Sequence, residues 1–248
     1  MPAIKSMDGG QIMKKSTVFA CIAVLLFGFT AYAQSNWQLY DNFNSGQIDP
    51  AKWEIDNSSA TITVESGRAK FEHLSGFAGD SSYLLLIKNP KSIIGVKATI
   101  TVQACSGDVR SRMASFIGKI GDDYVYSAHE IRADRDYISS SLPRLGPAPD
   151  YEYKGDYFWG YFKRPLAYTG LPFTMSMVLY RDHAEYEVEG QGAIEFSFPE
   201  TLAPTDDYFK GIGTRSNSGV GTCTVYFDDV YVKRESASPA NNLLLFDD

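Results

Sequence analysis

The chain is 248 residues long, with 23 Lys and Arg against 30 Asp and Glu, a formal net charge of −7. An acidic chain gains nothing from phosphate backbones or anionic lipid surfaces, so neither nucleic acid nor a charged membrane is an expected partner. Hydrophobic residues make up 44% of it, enough for a sizeable buried core and unlike a disordered chain.

Residues 1–33 read as a targeting segment rather than as part of the fold. Met13-Lys14-Lys15 supplies positive charge, Thr17 to Phe29 is apolar, and Ala31-Tyr32-Ala33 offers a small-x-small cleavage site. The apolar run falls short of the roughly 20 residues a bilayer span needs. The segment predicts a bacterial secretory signal peptide, with Met13 as an alternative start, and export to the periplasm or beyond. Its removal takes three of the basic and one of the acidic residues, leaving a net charge of −9.

From residue 34 onward helical periodicity gives way to short alternating runs split by Gly, Asp, Asn and Pro. Ile62 and Val64 alternate with threonines; Phe71 sits between Lys70 and Glu72. Tyr83 to Ile87 is continuously apolar, as in a strand buried on both faces. Val96, Ala98, Ile100 and Val102 share one strand face, and Tyr124 to Asp134 reads as another long strand. Met175 to Tyr180, His183 to Glu189 and Ala193 to Phe198 form a three-strand meander, turning at Arg181-Asp182 and Gly190-Gln-Gly192. The fold class expected is all-β, an antiparallel two-sheet jelly-roll sandwich over residues 34–234, with 235–248 as a tail or linker.

Two details sharpen this. In the last strand Val225 and Phe227 lie on one parity and Val230 and Val232 on the other. One inserted residue near Asp228-Asp229, a β-bulge, would bring all four to the core. Cys21 leaves with the signal, so Cys105 and Cys223 remain in an exported chain and favour one disulfide, with two buried thiols as the alternative.

The segment Asp150 to Tyr168 stands apart, with eight aromatic residues in 19. Aromatic rings stack on the apolar C–H faces of sugars, and they also bury large areas as core. If the segment is extended, Tyr157, Trp159 and Tyr161 share a face as a sugar platform, while Phe158 and Phe162 turn inward. The alternative is that all of them cover one end of the sandwich.

The two ends of the sandwich carry a family resemblance. Leu39-Tyr-Asp-Asn-Phe-Asn-Ser-Gly-Gln-Ile-Asp-Pro-Ala-Lys-Trp53 and Thr222-Cys-Thr-Val-Tyr-Phe-Asp-Asp-Val-Tyr-Val-Lys233 resemble the opening and closing strands of the concanavalin A-like (laminin G-like, laminarinase-like) sandwich superfamily. The resemblance implies a sugar-handling jelly roll. It also implies a structural Ca²⁺ shared by a closing-strand carboxylate, Asp229, and an opening-segment one, Asp41; a bulge whose carboxylates bond backbone N–H groups is the other account. The glucanases of this superfamily carry Glu-x-Asp-x-x-Glu on one strand. Glu54-Ile-Asp56 lacks the third carboxylate, since Ser59 stands there, and reads as ordinary solvated surface. Glu130 and Asp134 share a face but are two strand steps apart, too far for the retaining geometry of about 5–5.5 Å. With Arg132 between them they predict a salt-bridged sheet face, Glu130 staying a weak acid/base candidate. Tyr208-Phe-Lys-Gly211 resembles the opening of an alginate-lyase motif, but Ile212, Thr214 and Ser216 replace what should follow. Glu185, Glu187 and Glu189 read as a solvated face, and His73, His129 and His183 show no metal spacing and read as structural. The function expected is therefore non-catalytic recognition of a polysaccharide. The competing readings are a hydrolase or lyase with an atypical site, and a structural envelope or adhesion module.

Overall fold

The computed structural model describes residues 36–56, 61–73, 81–132, 135, 137–146, 158–163, 170–198, 200–203, 209–216 and 221–235. The expected signal segment, and all of the expected 235–248 tail but its first residue, lie outside them. In chain order the strands are β1 (Trp37–Asp41), β2 (Trp53–Asp56), β3 (Thr61–Glu65), β4 (Arg68–His73), β5 (Ser81–Ile87), β6 (Ile93–Cys105), β7 (Arg110–Ile120), β8 (Asp123–Arg132), β9 (Tyr137–Leu142), β10 (Arg144–Leu145), β11 (Phe158–Lys163), β12 (Phe173–Leu179), β13 (His183–Val188), β14 (Gly192–Ser197), β15 (Lys210–Ser216) and β16 (Cys223–Arg234). No helix among the described residues is long and apolar enough to cross a membrane.

The strands form two antiparallel sheets. The first runs β14-β13-β12-β6-β16-β4-β3, with β1 also on β16; the second runs β11-β9-β8-β7-β15-β5-β2, with β10 on β8. Between them lies one core built from alternate residues of each strand, such as Val96, Ala98, Ile100 and Val102 of β6 facing Met113, Ile131, Ile138 and Ile212 of the second sheet. The continuous apolar run of β5 is explained by burial on both faces: Tyr83, Leu85 and Ile87 enter the core, and Leu84 is buried on the other side. The expected meander is β12–β13–β14.

The end segments show why their residues keep that spacing. The Asp41 carboxylate accepts hydrogen bonds from the Phe43 backbone N–H (2.9 Å) and from Trp53 Nε1 (2.7 Å), with Lys52 Nζ 3.7 Å away. The Asp49 carbonyl accepts from the backbone N–H groups of Lys52 and Trp53, turning the chain into β2. Phe43, at φ 52°, stacks on Trp53, whose edge meets Tyr40. A buried carboxylate thus ties the first two strands, one from each sheet.

At the other end the pairing of β16 with β6 slips by one residue between Asp228 and Tyr231, and Val225, Phe227, Val230 and Val232 are all buried. Asp229 takes the extra position at φ 43°, its N–H bonded to the Asp228 carboxylate (2.7 Å). Cys105 and Cys223 face each other across β6 and β16 and form a disulfide, their Cα atoms 4.0 Å apart.

Candidate functional site on the second sheet

Strand phase decides what each residue of the second sheet meets. Core-facing positions of β8 include Val125, Ser127, His129 and Ile131; the alternate set, Tyr124, Tyr126, Ala128, Glu130 and Arg132, faces away from the first sheet. The core-facing set carries a polar layer. Ser127 Oγ lies 2.8 Å from Tyr186 Oη, reaching across from β13. His129 Nε2 donates to the Glu187 carbonyl (3.2 Å), so its Nδ1 accepts from Ser140 Oγ (2.9 Å). Burial holds the His129 imidazole neutral, its pKa pushed down to about 4. Lys210, in phase with core residue Ile212, is also buried, and desolvation lowers it to about 7. The lyase-like segment therefore turns its lysine inward, away from the outer face.

The register of the outer face brings the alternate residues into transverse rows. One row runs Leu84, Gly213, Arg112, Glu130, Ser139, Tyr161 across β5, β15, β7, β8, β9 and β11. The next runs Arg215, Arg110, Arg132, after which one further step of the β8–β9 ladder brings Tyr137, itself paired with Lys163. Glu130, 4% exposed, lies at the centre of the sheet. One of its oxygens accepts from Arg110 Nη1 at 2.8 Å, and the other is 3.8 Å from Arg112 Nη1. Arg112 Nη1 donates to Tyr126 Oη at 2.6 Å. Below this lies a small apolar cluster of Ala114, Tyr124, Tyr126, Ala128 and Leu145, joined by Phe209.

The expected sheet-face ion pair is therefore present at Glu130, with a correction. Its partners come from β7 across the ladder, not from Arg132 along its own strand. Arg112 is the in-register neighbour of Glu130 on β7, and Arg110 reaches it on the diagonal, a span that a long guanidinium side chain covers. Glu130's neighbours in the sheet are Ala128 and Arg132 along β8, Arg112 on β7 and Ser139 on β9. No second carboxylate stands among these, as a retaining glycosidase would require. Asp134 lies outside the described residues.

Of the expected aromatic platform, Tyr157 lies outside the described residues. Trp159 is placed by its backbone, opposite Ser141 in the β11–β9 ladder and in phase with Tyr161. Tyr161 is 56% exposed, with its ring 4.7 Å from Tyr137, and Phe162 is buried in the core, as the alternation required. The site residues the sequence reading did not select are Arg110, Arg112 and Arg215. The alternation of Arg110 and Arg112 was the available sign that both would share one face.

At the opening segment both oxygens of Asp41 already accept hydrogen bonds from the protein. Elsewhere, His183, Glu185 and Glu195 bring one ligand atom each within 4.8 Å of one another on the first sheet, through pairing of β13 with β14. His183 Nδ1 lies 2.6 Å from Asp182, and the ring stacks on Tyr180.

No family model and no curated protein matches this sequence. Solved structures match it in shape. A kappa-carrageenase from Zobellia galactanivorans aligns with a TM-score of 0.59 at 12% identity, over 82% of this chain and 98% of that one. The catalytic domain of an endo-1,3-beta-glucanase (laminarinase) from Thermotoga petrophila aligns at 0.56 and 13%, over 81% and 99%. A chain reported among endo-acting O-glycanases of the human gut microbiota aligns at 0.58 and 12%, over 86% and 96%. At these identities the likeness is one of fold: the chain is a concanavalin A-like β-sandwich.

Proposed function

We propose that this protein is an exported, non-catalytic glycan-binding sandwich whose site is the outer face of the second sheet. The observation that carries the reading is the central position of that face. A glycanase of the retaining kind needs two carboxylates about 5–5.5 Å apart there. Here Glu130 is surrounded by Ala128, Arg132, Arg112 and Ser139, and is bonded to Arg110. Glu130, Arg112 and Ser139 are themselves buried and form the floor of the patch, so the groups that reach a sugar in this reading are the partly exposed guanidiniums of Arg110 and Arg132, with the exposed ring of Tyr161. Trp159 extends the platform along β11 in this reading. The shape likeness to structures described as glycan-degrading enzymes supports saccharide as the ligand class. Export after removal of residues 1–33 accords with a disulfide, which persists in oxidising compartments.

The test is a polysaccharide panel read two ways, by binding and by release of reducing ends. Binding without release, weakened about tenfold by Trp159→Ala, supports the reading, tenfold being about 1.4 kcal/mol. Release of reducing ends that disappears in Glu130→Gln would make the protein a hydrolase instead. A structural Ca²⁺ at Asp41 and Asp229 is a separate proposal. Each Asp41 oxygen keeps a lone pair beside the hydrogen bond it accepts, and a rise in melting temperature when Ca²⁺ is restored to EDTA-treated protein is the direct check.

A further inference from the structure

We propose that the glycan taken by this face is a polyanion, carrying sulfate esters or carboxylates, and that it lies across the strands along the row Arg215, Arg110, Arg132, Lys163. The inference rests on the glycan-binding reading above and adds the ligand's charge and direction. It starts from an unfavourable arrangement. Like charges directly opposite each other on neighbouring strands destabilise a sheet. Yet Arg110 stands opposite Arg215 on one side and opposite Arg132 on the other. Lys163 continues the row beyond Tyr137 on the outermost strand, β11. Arg112 lies in the adjacent row, next to Gly213.

Among the described residues the carboxylates near this row are fewer than its four cations: Asp108, just before β7, accepts from Ser216 Oγ at 2.8 Å. Glu130 is bonded to Arg110, while Glu54 and Asp56 belong to β2 at the opposite edge, three strands from β7. Arg112, Arg132 and Arg215 also make interactions of their own, so the row is held in place rather than loose. In a chain of net charge −7, this concentration of cations on one face is local and runs against the average. Five strands at about 4.8 Å spacing make the row about 19 Å long, room for several sugar units. A guanidinium presents a planar fork that matches sulfate or carboxylate oxygens in two parallel hydrogen bonds. The partly exposed arginines and the exposed Lys163, with the Tyr161 ring, thus meet both parts of an acidic sugar: its anionic group and its apolar ring face.

The experiment titrates the purified protein with a sulfated galactan (kappa-carrageenan), a polyuronate (alginate) and a neutral β-1,3-glucan (laminarin). The variants are Arg132→Gln with Lys163→Gln, and Lys163→Gln alone, an exposed edge position that leaves the fold intact if the double change does not. One of the two polyanions should bind more tightly than laminarin, and which one identifies the anionic group. Its affinity should fall about tenfold in the double variant and less in the single one. It should also fall steeply as salt rises to about 1 M, where the Debye length is about 3 Å. Preferential binding of laminarin, independent of salt, would overturn the charge inference and leave glycan binding standing. Polyanion binding unchanged in both variants would overturn the row as its site. Failure to bind any of the three, extended to the wider panel, would remove the glycan-binding reading itself.

Discussion

The outer faces of the two sheets handle charge in opposite ways. On the first sheet, cations are set against groups that suit them. Lys70 lies 2.9 and 2.8 Å from Glu65 and Glu72, Arg68 sits over the Tyr226 ring, and Lys97 lies over Trp37 and Tyr231. An opposed pair of like charges, Glu185 and Glu195, does occur there, but with His183 beside it. On the second sheet, arginine opposes arginine on both sides of Arg110, beside the buried carboxylate of Glu130. A face that only needs to be soluble can intersperse its signs, as the first does. A face that sets like charges opposite each other departs from local pairing preference, and such departures are where function is to be sought.

The largest effect should come from the frame that holds the first sheet. Replacing Cys105 and Cys223 by serine opens a loop of sequence separation 118 and should cost about 4–5 kcal/mol in the chain-entropy model. Urea denaturation reads that loss, and the protein that remains folded should bind glycan as before. Unchanged stability would mean that the frame does not depend on the bridge.

The next effect separates two neighbours on β11. Phe162→Ala empties a core position and should cost about 3–5 kcal/mol. Tyr161→Ala, one residue earlier and on the outer face, should leave the melting temperature nearly unchanged while weakening glycan binding about tenfold. If both variants lose stability alike, the Tyr161 ring is part of the packing and the platform argument fails.

Between the sheets, His129 sets a pH limit. Its folded-state pKa, pushed down to about 4, lies below its usual 6.5, so the unfolded chain takes up a proton first. Its contribution is intact above about pH 6.5, declines as pH falls through that window, and is gone below about pH 4, a loss of about 3 kcal/mol. Protonation would also oppose the Ser140 hydroxyl hydrogen at Nδ1. Stability measured from pH 7 to pH 4 should fall accordingly, and His129→Gln should flatten the profile.

The smallest effect is the control on the comparison. Lys70→Gln on the first sheet breaks two exposed ion pairs and should alter neither the melting temperature nor glycan binding beyond error. A change in binding there would shift attention to the other face.

Much of the frame was legible in the residues because it depends on local rules. Alternation of period two marked β6 and the meander. The phase slip from Phe227 to Val230 required a bulge, and the β16–β6 register contains it. The spacing of Asp41, Phe43, Asp49 and Trp53 is that of one turn closed around a buried carboxylate. The two cysteines at the matching ends of β6 and β16 needed only antiparallel pairing to meet.

The site depended on pairings between strands distant in sequence, which alternation cannot reveal. Alternation along β8 put Glu130 and Arg132 on one face, and it offered the wrong partner for the carboxylate. The β7–β8 register supplied Arg110 and Arg112, and β15, about 100 residues later, supplied Arg215. The same register turned Lys210 and His129 inward and Tyr161 outward. Periodicity by itself determined which residues of each strand share a side. Only the tertiary structure decided which strands stand next to each other, because hydrogen-bonded neighbours in a sheet are chosen by the packing of the whole core and not by nearness along the chain.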